Sequence, residues 1–301
     1  MSVDLTTLVT EGWRPEWSDI DTRSTLDLVR LMNAEDARVP AAVASAAAAL
    51  AAAIDGVVER LEGGGRLVYV GAGTAGRIGV LDASECGPTF NTAPGQVVGV
   101  IAGGDGAVSQ ASESAEDDDD AGAADLAQLT IGPGDAVVAV SASGRTPYAL
   151  GAVGQARSVG ALTVAVTCNP GSPLAAAADH AIEVVVGPEV VSGSTRLKAG
   201  TAQKLVLNTI STVSMVRLGK TYGNLMVDVR AGNEKLRARA QRIVELATGC
   251  PPEEAAAALA SADGEVRTAI VTLLTGDEVT AARDALARAG GRVREAIRVD
   301  R

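Results

Sequence analysis

Five short apolar segments, rich in β-branched residues, constrain the fold of this chain more than any other feature. They read RLVYVGAG, QVVGVIAGG, DAVVAVSAS, ALTVAVTCN and AIEVVVGPE, and stretches with helical periodicity separate them. Strands that are apolar throughout and alternate with helices are typical of a parallel sheet covered on both faces. The sequence therefore predicts an α/β fold with a doubly wound, five-stranded parallel sheet, flanking helices and a small C-terminal helical subdomain.

Helices are predicted between and around these strands. An alanine-rich segment from Pro40 ends at three glycines, which favour helix termination. After the helix at 74–83, a loop is predicted to carry Glu85. The remaining predicted helices span 24–33, 107–129, 147–159, 173–178, 199–219 and 233–249.

The predicted domain organisation has three parts. Residues 1–38 are expected to form a tail with one short helix that packs on a partner surface, and residues 39–232 to form the α/β domain. Residues 233–301 are expected to form the helical subdomain, with the boundary near Gly232. In that subdomain ADGEVRTAIV from Ala262 and AGGRVREAIR from Ala289 align at an offset of 27, which predicts two similar helix-turn-helix units.

Composition excludes several classes of partner. The formal charge of −11, with no run of Lys or Arg, argues against nucleic acid. The three cysteines lack CxxC spacing, so they predict a reducing compartment and no zinc site. Neither a signal-peptide pattern nor an unbroken apolar span long enough for a bilayer occurs, and a cytoplasmic protein without membrane partners is expected.

The loops after the strands are where a parallel sheet binds ligands. After the first strand, Gly71, Gly73 and Gly76 match G-x-G-x-x-G, which is typical of dinucleotide sites. The second strand, however, lacks the acidic residue at its end that binds the ribose. A tight strand-to-helix turn explains the glycines about as well as a ligand does.

The loop after the third strand, SASGRTPYA, carries three hydroxyl groups where a helix begins. Free amides and the dipole at a helix N-terminus favour an anion, and hydroxyl donors complete a phosphate site. An ordinary helix cap needs only one hydroxyl. The sequence therefore favours phosphate binding here, by Ser141, Ser143, Gly144, Arg145 and Thr146.

The loop after the fifth strand, Gly187 to Lys204, is long and rich in hydrogen-bond donors. Such a loop suits a hydroxylated ligand such as a sugar, although a solvated loop with a helix cap at Thr201 remains an alternative. Its candidate polar residues are Ser192, Ser194, Thr195, Arg196, Lys198 and Thr201.

Two carboxylates are candidates for acid–base chemistry. Glu85 lies in DASECGPT and Glu116 in ASESAEDDDD, where the residues alone do not distinguish it from Glu113 or from the aspartates at 117–120. The single histidine, His180, precedes a strand and is therefore away from the ligand-binding ends. Acid–base work would fall to carboxylates.

Several long segments carry a resemblance to a known family. They are GAGTAGRIGVLDASECGPT, IAGG, ASGRTPY, TCNPGS, EVVSGSTRLKAGTAQKLVLN and GNLMVDV, in this order along the chain. With them the chain resembles the sugar isomerase (SIS) domain superfamily and, within it, the N-acetylmuramic acid 6-phosphate etherase family. The resemblance extends from about Leu8 to the C-terminus.

The resemblance implies a carbon–oxygen lyase without metal or other cofactor. Its small-molecule substrate would be N-acetylmuramic acid 6-phosphate, cleaved to N-acetylglucosamine 6-phosphate and D-lactate in cell-wall amino-sugar recycling or catabolism. It also implies a homodimer. Glu116 would take the C2 proton, and Glu85 would protonate the departing lactate and activate water. The residues of the three loops, with Gly73 and Thr74 from the first, would bind the substrate.

Two other functions use the same fold. An aldose–ketose isomerase would need C2 deprotonation without an acid at C3, and a sugar-phosphate sensor would need neither glutamate. The chain departs from the family pattern at Ala75, where a serine is usual, and this removes a possible hydroxyl contact from the first loop. Release of D-lactate distinguishes these functions.

Overall fold

The computed structural model describes residues 5–110, 114–228 and 234–298. It forms two compact units, one made of Met1–Ser84 and Gly95–Ser211 and the other of Glu85–Pro94 and Thr212–Arg301. This division differs from the predicted ranges 39–232 and 233–301. The predicted boundary residue Gly232 and the alternative base Glu113 lie outside the described residues.

As far as residue 217, the chain begins with helices and continues with strands that one or two helices separate. Short 3-10 helices at Leu5–Thr7, Val9–Glu11, Pro15–Trp17 and Ile20–Thr22 come first. They are followed by α1 (Thr25–Asp36), α2 (Val39–Ser45), α3 (Ala47–Glu62), β1 (Leu67–Gly71), α4 (Gly73–Phe90), β2 (Val97–Ile101), α5 (Gly106–Ser109), α6 (Asp119–Gln128), β3 (Ala136–Ser141), α7 (Pro147–Ser158), β4 (Leu162–Thr167), α8 (Pro173–Ala177), β5 (His180–Glu183) and α9 (Lys198–Arg217).

The sheet confirms the predicted α/β class. All five strands are parallel, in the order β2-β1-β3-β4-β5. Every residue of β1, β3 and β4 is buried, as their continuous apolar sequences require. The strand order reverses between β1 and β3, and ligands bind at the carboxyl ends of the strands at such a switch point.

Two predicted helices are each divided in the structure. The alanine-rich segment bends at Ala46 into α2 and α3, and the predicted helix at 107–129 is replaced by the short α5 and by α6. Asp118 causes the second difference, because its carboxylate accepts a hydrogen bond from the backbone N of Ala121 (2.8 Å) and starts α6 there. Two further aspartates in the first turn interact favourably with the positive end of the helix dipole.

Helix α4 is longer than the sequence predicts. It continues through Pro88 to Phe90, so Glu85 lies on a helix and not in a loop. The Gly-Pro pair near its end predicts an earlier stop, yet the amide of Asn91 still bonds the carbonyl of Gly87 (2.9 Å). Pro88 lies in the last turn, where it has no N–H to donate to the carbonyl of Ser84.

The N-terminal segment packs against its own chain, whereas the sequence predicts a contact with a partner. The side-chain oxygen of Asn169 accepts hydrogen bonds from the amides of Val9 (2.6 Å) and Thr10 (3.4 Å). The amide nitrogen of Asn169 in turn donates to the hydroxyl of Thr10 (3.0 Å). These bonds satisfy backbone groups of the N-terminal segment, residues 5–22, whose elements are short 3-10 helices.

The second unit is mostly helical. It contains a two-stranded antiparallel hairpin, β6 (Thr221–Tyr222) with β7 (Leu225–Met226), that the sequence does not predict. The helices that follow are α10 (Glu234–Thr248), α11 (Pro252–Ser261), α12 (Val266–Thr275), α13 (Val279–Arg288) and α14 (Val293–Ala296).

The sequence repeat corresponds to two similar helix-turn-helix units. The first is α11 with α12 and the second is α13 with α14, and their turns are alike. In the first turn Asp263 and Gly264 have positive φ (54° and 80°), and in the second Gly290 and Gly291 do (58° and 80°).

Within the described residues, no single helix is long and apolar enough to cross a membrane. The bent pair formed by Thr25–Ser45 and Ala47–Glu62 meets that test by length and composition alone.

Asp135 joins the start of β1 to the turn before β3. Its carboxylate accepts hydrogen bonds from the backbone N (2.9 Å) and the Nε (3.1 Å) and Nη2 (2.8 Å) of Arg66, and from the backbone N of Gly132 (3.0 Å). Burial of this carboxylate opposes its ionisation, but the hydrogen bonds from Arg66 and the backbone amides outweigh that effect and lower the pKa of Asp135.

Replacing Asp135 by Asn should lower the free energy of unfolding by about 1.5–3 kcal/mol near neutral pH, because charge-assisted hydrogen bonds are lost. A lowered folded-state pKa stabilises above the unfolded value, and that stabilisation disappears as the pH falls through the folded value. The difference between wild type and variant should therefore shrink in acid. Urea unfolding at several pH values measures it, and Asp55→Asn, exposed on α3, is the control. A difference independent of pH would contradict the role of the charge.

Candidate functional site

A cavity of about 530 Å³ in the first unit lies where β1 and β3 end. Residues after both strands, residues of the N-terminal segment and one residue of α9 line it. This is the switch point at which a doubly wound sheet binds ligands. The predicted site residues that line it are Gly73, Thr74, Glu116, Ser141, Ser143, Arg145, Thr146 and Thr195.

The loop after β3 gathers its three hydroxyl groups at the start of α7. The Oγ of Ser141 lies 2.8 Å from the Oγ1 of Thr146 and 3.3 Å from the Oγ of Ser143. The two serine hydroxyls accept hydrogen bonds from the backbone N atoms of Gly144 (3.0 Å) and Arg145 (3.1 Å). Backbone amides and hydroxyl donors thus lie together beside a helix N-terminus, an arrangement that binds anions. We name this group of residues, 141–146, the hydroxyl loop.

Gly144 shapes the hydroxyl loop although it does not line the cavity. Its φ is +65°, and a Cβ on it would lie 2.2 Å from the Oγ of Ser172. Any other residue would therefore be strained and would displace Ser172, whose hydroxyl caps α8.

Glu116 connects directly to the hydroxyl loop. Its Oε1 accepts a hydrogen bond from the hydroxyl of Thr146 (3.3 Å), and its backbone carbonyl accepts one from the amide of Tyr148 in the first turn of α7 (3.2 Å). Thr146 therefore does not cap α7 with its side chain. The carboxylate is held next to the proposed anion site, at an exposed position on the wall of the cavity.

The glycine-rich turn after β1 has a packing explanation for one of its glycines. A Cβ on Gly76 would lie only 2.5 Å from the carbonyl oxygen of Gly71, because α4 approaches the end of β1 closely. Gly73 and Thr74 instead face the cavity. The turn thus allows close packing of α4 on β1 at Gly76 and presents Gly73 and Thr74 to the cavity.

The loop after β5 contributes less to the cavity than the sequence predicts. Thr195 lines it, but Ser192 and Ser194 do not. The Ser192 hydroxyl donates to the carbonyl of Glu11 (3.3 Å) and so holds the N-terminal segment. This loop is therefore partly structural.

Lys198 also does not line the cavity. Its side chain is buried, and its Nζ lies 2.5 Å from Oε2 of Glu35 on α1. Burial of Glu35 opposes its ionisation, but the hydrogen bond and charge of Lys198 prevail and lower the pKa of Glu35. In this structure the lysine charge is neutralised inside the first unit, and its predicted contact with substrate has no support from the geometry.

Glu189 caps the start of α9, where the sequence offers Thr201 as the cap. The carboxylate is buried and accepts hydrogen bonds from the backbone N atoms of Lys198 (3.1 Å) and Ala199 (2.9 Å). The Thr201 hydroxyl instead donates to the carbonyl of Leu197 (3.1 Å). A glutamate nine residues before the helix is not a local sequence signal, so the sequence does not reveal this cap.

Sequence reasoning missed several residues of the cavity wall. Leu5, Leu8 and Glu11 come from the N-terminal segment, Arg77 from α4 and Gln203 from α9. Arg77 gives a partial clue, since it ends the glycine-rich motif; its guanidinium donates to the carbonyls of Val108 (3.0 Å) and Gln110 (3.2 Å). The others depend on contacts between distant parts of the chain.

Glu85 is not among the residues that line this cavity. It lies on α4, is exposed, and belongs to the second unit. Its predicted catalytic role therefore stays a prediction.

Metal ligands and Cys168 are two further sources of reactivity to consider. Among the described residues, no group of three or more His, Cys, Asp or Glu side chains is placed to hold a metal ion. Cys168 follows β4 but is buried, and burial, with a contribution from the charge of Glu189, raises the pKa of its thiol to about 12. A thiol with such a pKa is a poor nucleophile at neutral pH.

A larger cavity, of about 990 Å³, lies in the second unit. Five of the charged side chains on its wall pair with one another: Arg267 with Asp228 (2.9 Å), and Arg283 with Asp263 (2.8 Å) and Glu265 (2.9 Å); Arg237 also lines it. Paired charges leave little for a ligand to neutralise. The cavity at the strand ends is therefore the better candidate.

Comparisons with known proteins agree on the fold. Residues 49–157 match the family model described as "Glucokinase regulatory protein N-terminal SIS domain", and residues 116–212 match "SIS domain". The phosphoheptose isomerase of Neisseria gonorrhoeae has a similar structure, with a TM-score of 0.50 and 18% identity over 64% of this chain and 98% of that chain. At that identity the likeness shows the fold alone.

Curated relatives are much more similar. The chain is 69% identical over 264 residues to the N-acetylmuramic acid 6-phosphate etherase of Rubrobacter xylanophilus, covering 88% of each sequence. It is 64% identical over 272 residues to the protein of the same name from Streptomyces avermitilis, covering 90% of this chain and 88% of the relative.

Two Gly→Ala substitutions, one in the hydroxyl loop and one in α7, should have opposite effects on the free energy of unfolding. Gly144→Ala should lower the free energy of unfolding by about 1–3 kcal/mol, the cost of a left-handed backbone at a non-glycine residue. Gly154→Ala should raise it by about 0.5–1 kcal/mol, because this glycine is inside α7, exposed and without neighbours at the Cβ position. Denaturant unfolding of both variants measures the difference. Equal stability of the two variants would contradict the strained conformation.

Proposed function

The chain belongs to the N-acetylmuramic acid 6-phosphate etherase family, whose members are carbon–oxygen lyases, and from that premise we propose its substrate, its binding mode and its mechanism. The substrate is N-acetylmuramic acid 6-phosphate, and the products are N-acetylglucosamine 6-phosphate and D-lactate. The observation that carries this proposal is the hydrogen bond that joins Glu116 to the hydroxyl loop inside one cavity.

The hydroxyl loop binds the 6-phosphate. Ser141, Ser143 and Thr146 supply hydroxyl groups, and the start of α7 supplies the positive end of a helix dipole. Arg145 adds a positive charge at the cavity wall. An anion with several acceptor oxygens suits such a group of donors.

The carboxylate beside this site removes a proton. When the sugar ring opens, the C1 aldehyde acidifies the proton on C2, and the ether oxygen on C3 is β to that carbonyl. Loss of the C2 proton followed by cleavage of the C3–O bond releases D-lactate and leaves an unsaturated aldehyde. Water then adds at C3 and a proton returns to C2, so the overall reaction consumes one water molecule.

We assign the two acid–base steps to two glutamates. Glu116 takes the C2 proton, which is supported by its position between the cavity and Thr146. Glu85 protonates the departing lactate and activates the water; this assignment rests on its match to the glutamate of the family's DASEC segment. The chemistry fits a cytoplasmic role in recycling or catabolism of cell-wall amino sugars.

Mutation of each glutamate in turn should separate C2 proton removal from D-lactate release. Glu116→Gln should abolish exchange of the C2 proton with solvent deuterium as well as D-lactate release, because elimination cannot begin without the carbanion. Glu85→Gln should lose D-lactate release yet still exchange at C2. Each loss should be about 10²–10⁴-fold, the usual contribution of a general acid or base.

NMR of the substrate in D₂O follows exchange, and an assay for D-lactate follows cleavage. Glu183→Gln, a substitution on β5 away from the cavity wall, controls for nonspecific effects. Exchange at the wild-type rate in Glu116→Gln would show that another carboxylate, Glu113 or one of the aspartates at 117–120, is the base. Absence of D-lactate from the wild-type reaction would refute the activity itself.

We also propose that the chain forms a homodimer. Helix α1 leaves Leu26 and Val29 more than half exposed (57% and 59%), one helical turn apart on the same face. A second copy is the occupant that the family resemblance implies. Light scattering at micromolar concentration should give twice the mass of the chain, and Leu26→Glu should lower it. A monomeric wild type with full activity would contradict the proposal.

A further inference from the structure

Gln203 is a buried polar residue without partners on the wall of the candidate cavity. It is 1% exposed, and neither its Nε2 nor its Oε1 has a hydrogen-bond partner within the described residues. Burying an amide without hydrogen bonds costs about 1–3 kcal/mol. Such a cost is expected at functional sites, where a ligand supplies the missing partners.

The position of Gln203 on α9 places it on the helix face that packs on the cavity. One turn earlier, a Cβ on Gly200 would lie 3.3 Å from Cγ2 of Thr74 and 3.6 Å from the carbonyl oxygen of Thr195. One turn later, the carbonyl of Leu207 accepts a hydrogen bond from the hydroxyl of Tyr69 on β1 (3.4 Å). Residues three and four apart share a helix face, so Gln203 faces the turn after β1.

The two unpartnered atoms define the chemistry of their ligand. A glutamine amide offers a donor and an acceptor side by side. A phosphate or a carboxylate would satisfy only the donor, because both groups only accept hydrogen bonds. The matching ligand therefore has an N–H or O–H donor next to an oxygen acceptor.

We propose that Gln203 binds the C2–C3 edge of the sugar, with Oε1 accepting from the acetamido N–H on C2 and Nε2 donating to the ether oxygen on C3. This inference rests on the proposed function. Gln203 lines the cavity although its amide atoms are buried, so the amide must rotate about its side-chain bonds to meet the two groups. The donated bond falls on the oxygen of the bond that breaks, so Gln203 contributes to substrate selection and to orientation of the leaving group.

Binding of two sugar phosphates tests the contact without any turnover. In Gln203→Met, affinity for N-acetylglucosamine 6-phosphate, whose C3 hydroxyl oxygen takes the place of the ether oxygen, should fall about tenfold, the range expected for two neutral hydrogen bonds. Affinity for 2-deoxyglucose 6-phosphate, which lacks the C2 donor, should fall by a smaller factor, and affinity for inorganic phosphate should not change. Isothermal titration calorimetry measures all three.

Thermal unfolding without ligand supplies an independent readout. Because the wild-type amide is unpartnered, Gln203→Met should raise Tm, whereas loss of a structural hydrogen bond would lower it. Gln128→Met, exposed at the end of α6, should change neither Tm nor affinity.

Unchanged affinity for N-acetylglucosamine 6-phosphate in a folded Gln203→Met variant would overturn the proposal. So would a lowered Tm with equal losses for all three ligands, because that pattern indicates a structural role. Failure of the proposed function is a separate result: the wild type would release no D-lactate, while the affinity ratios would remain measurable.

Discussion

The side-by-side placement of β1 and β3 is the constraint on which the rest of the first unit depends. Both strands are fully buried, so they need helices on both faces, and their parallel pairing carries both following turns to the same edge of the sheet. The chain leaves β1 toward β2 and leaves β3 toward β4, on opposite sides. The cavity lies between these departures, and the two turns form part of its wall.

Within that cavity, binding and chemistry share one hydrogen-bonded group. The hydroxyl of Thr146 lies between Ser141 and Glu116, so the anion-binding loop and the carboxylate are not independent sites. Linked hydrogen bonds of this kind polarise one another. A ligand that orders the hydroxyl loop thereby also orders the carboxylate that we assign as base.

Much of this arrangement was predictable from sequence because its signals are local. The apolar strands, the glycine-rich turn and the hydroxyl groups before Pro147 each occupy a few consecutive residues, and the family resemblance is confirmed by relatives of high identity. Lys198 shows the limit. Its sequence position predicts a contact with substrate, yet its partner is Glu35, which lies 163 residues away.

The burial of Gln203 and the length of α4 are two further features that the local sequence does not predict. In sequence, Gln203 is one polar residue of an amphipathic helix, and only tertiary packing reveals that its amide is buried without partners. The Gly-Pro pair in α4 predicts an earlier end, but the helix continues through Pro88 to Phe90. For Gln203, tertiary packing and not local propensity decides the outcome.

The N-terminal segment has a consequence for how the cavity comes into being. Leu5, Leu8 and Glu11 form part of its wall, and the segment is held by Asn169 across 160 residues of sequence. Contacts of such separation form late, because a long loop must close before they are gained. Residues 5–11 are synthesised long before Asn169. The cavity is therefore completed only when this early segment meets the part of the chain that carries Asn169. Ligand affinity therefore reports on completed folding of the first unit.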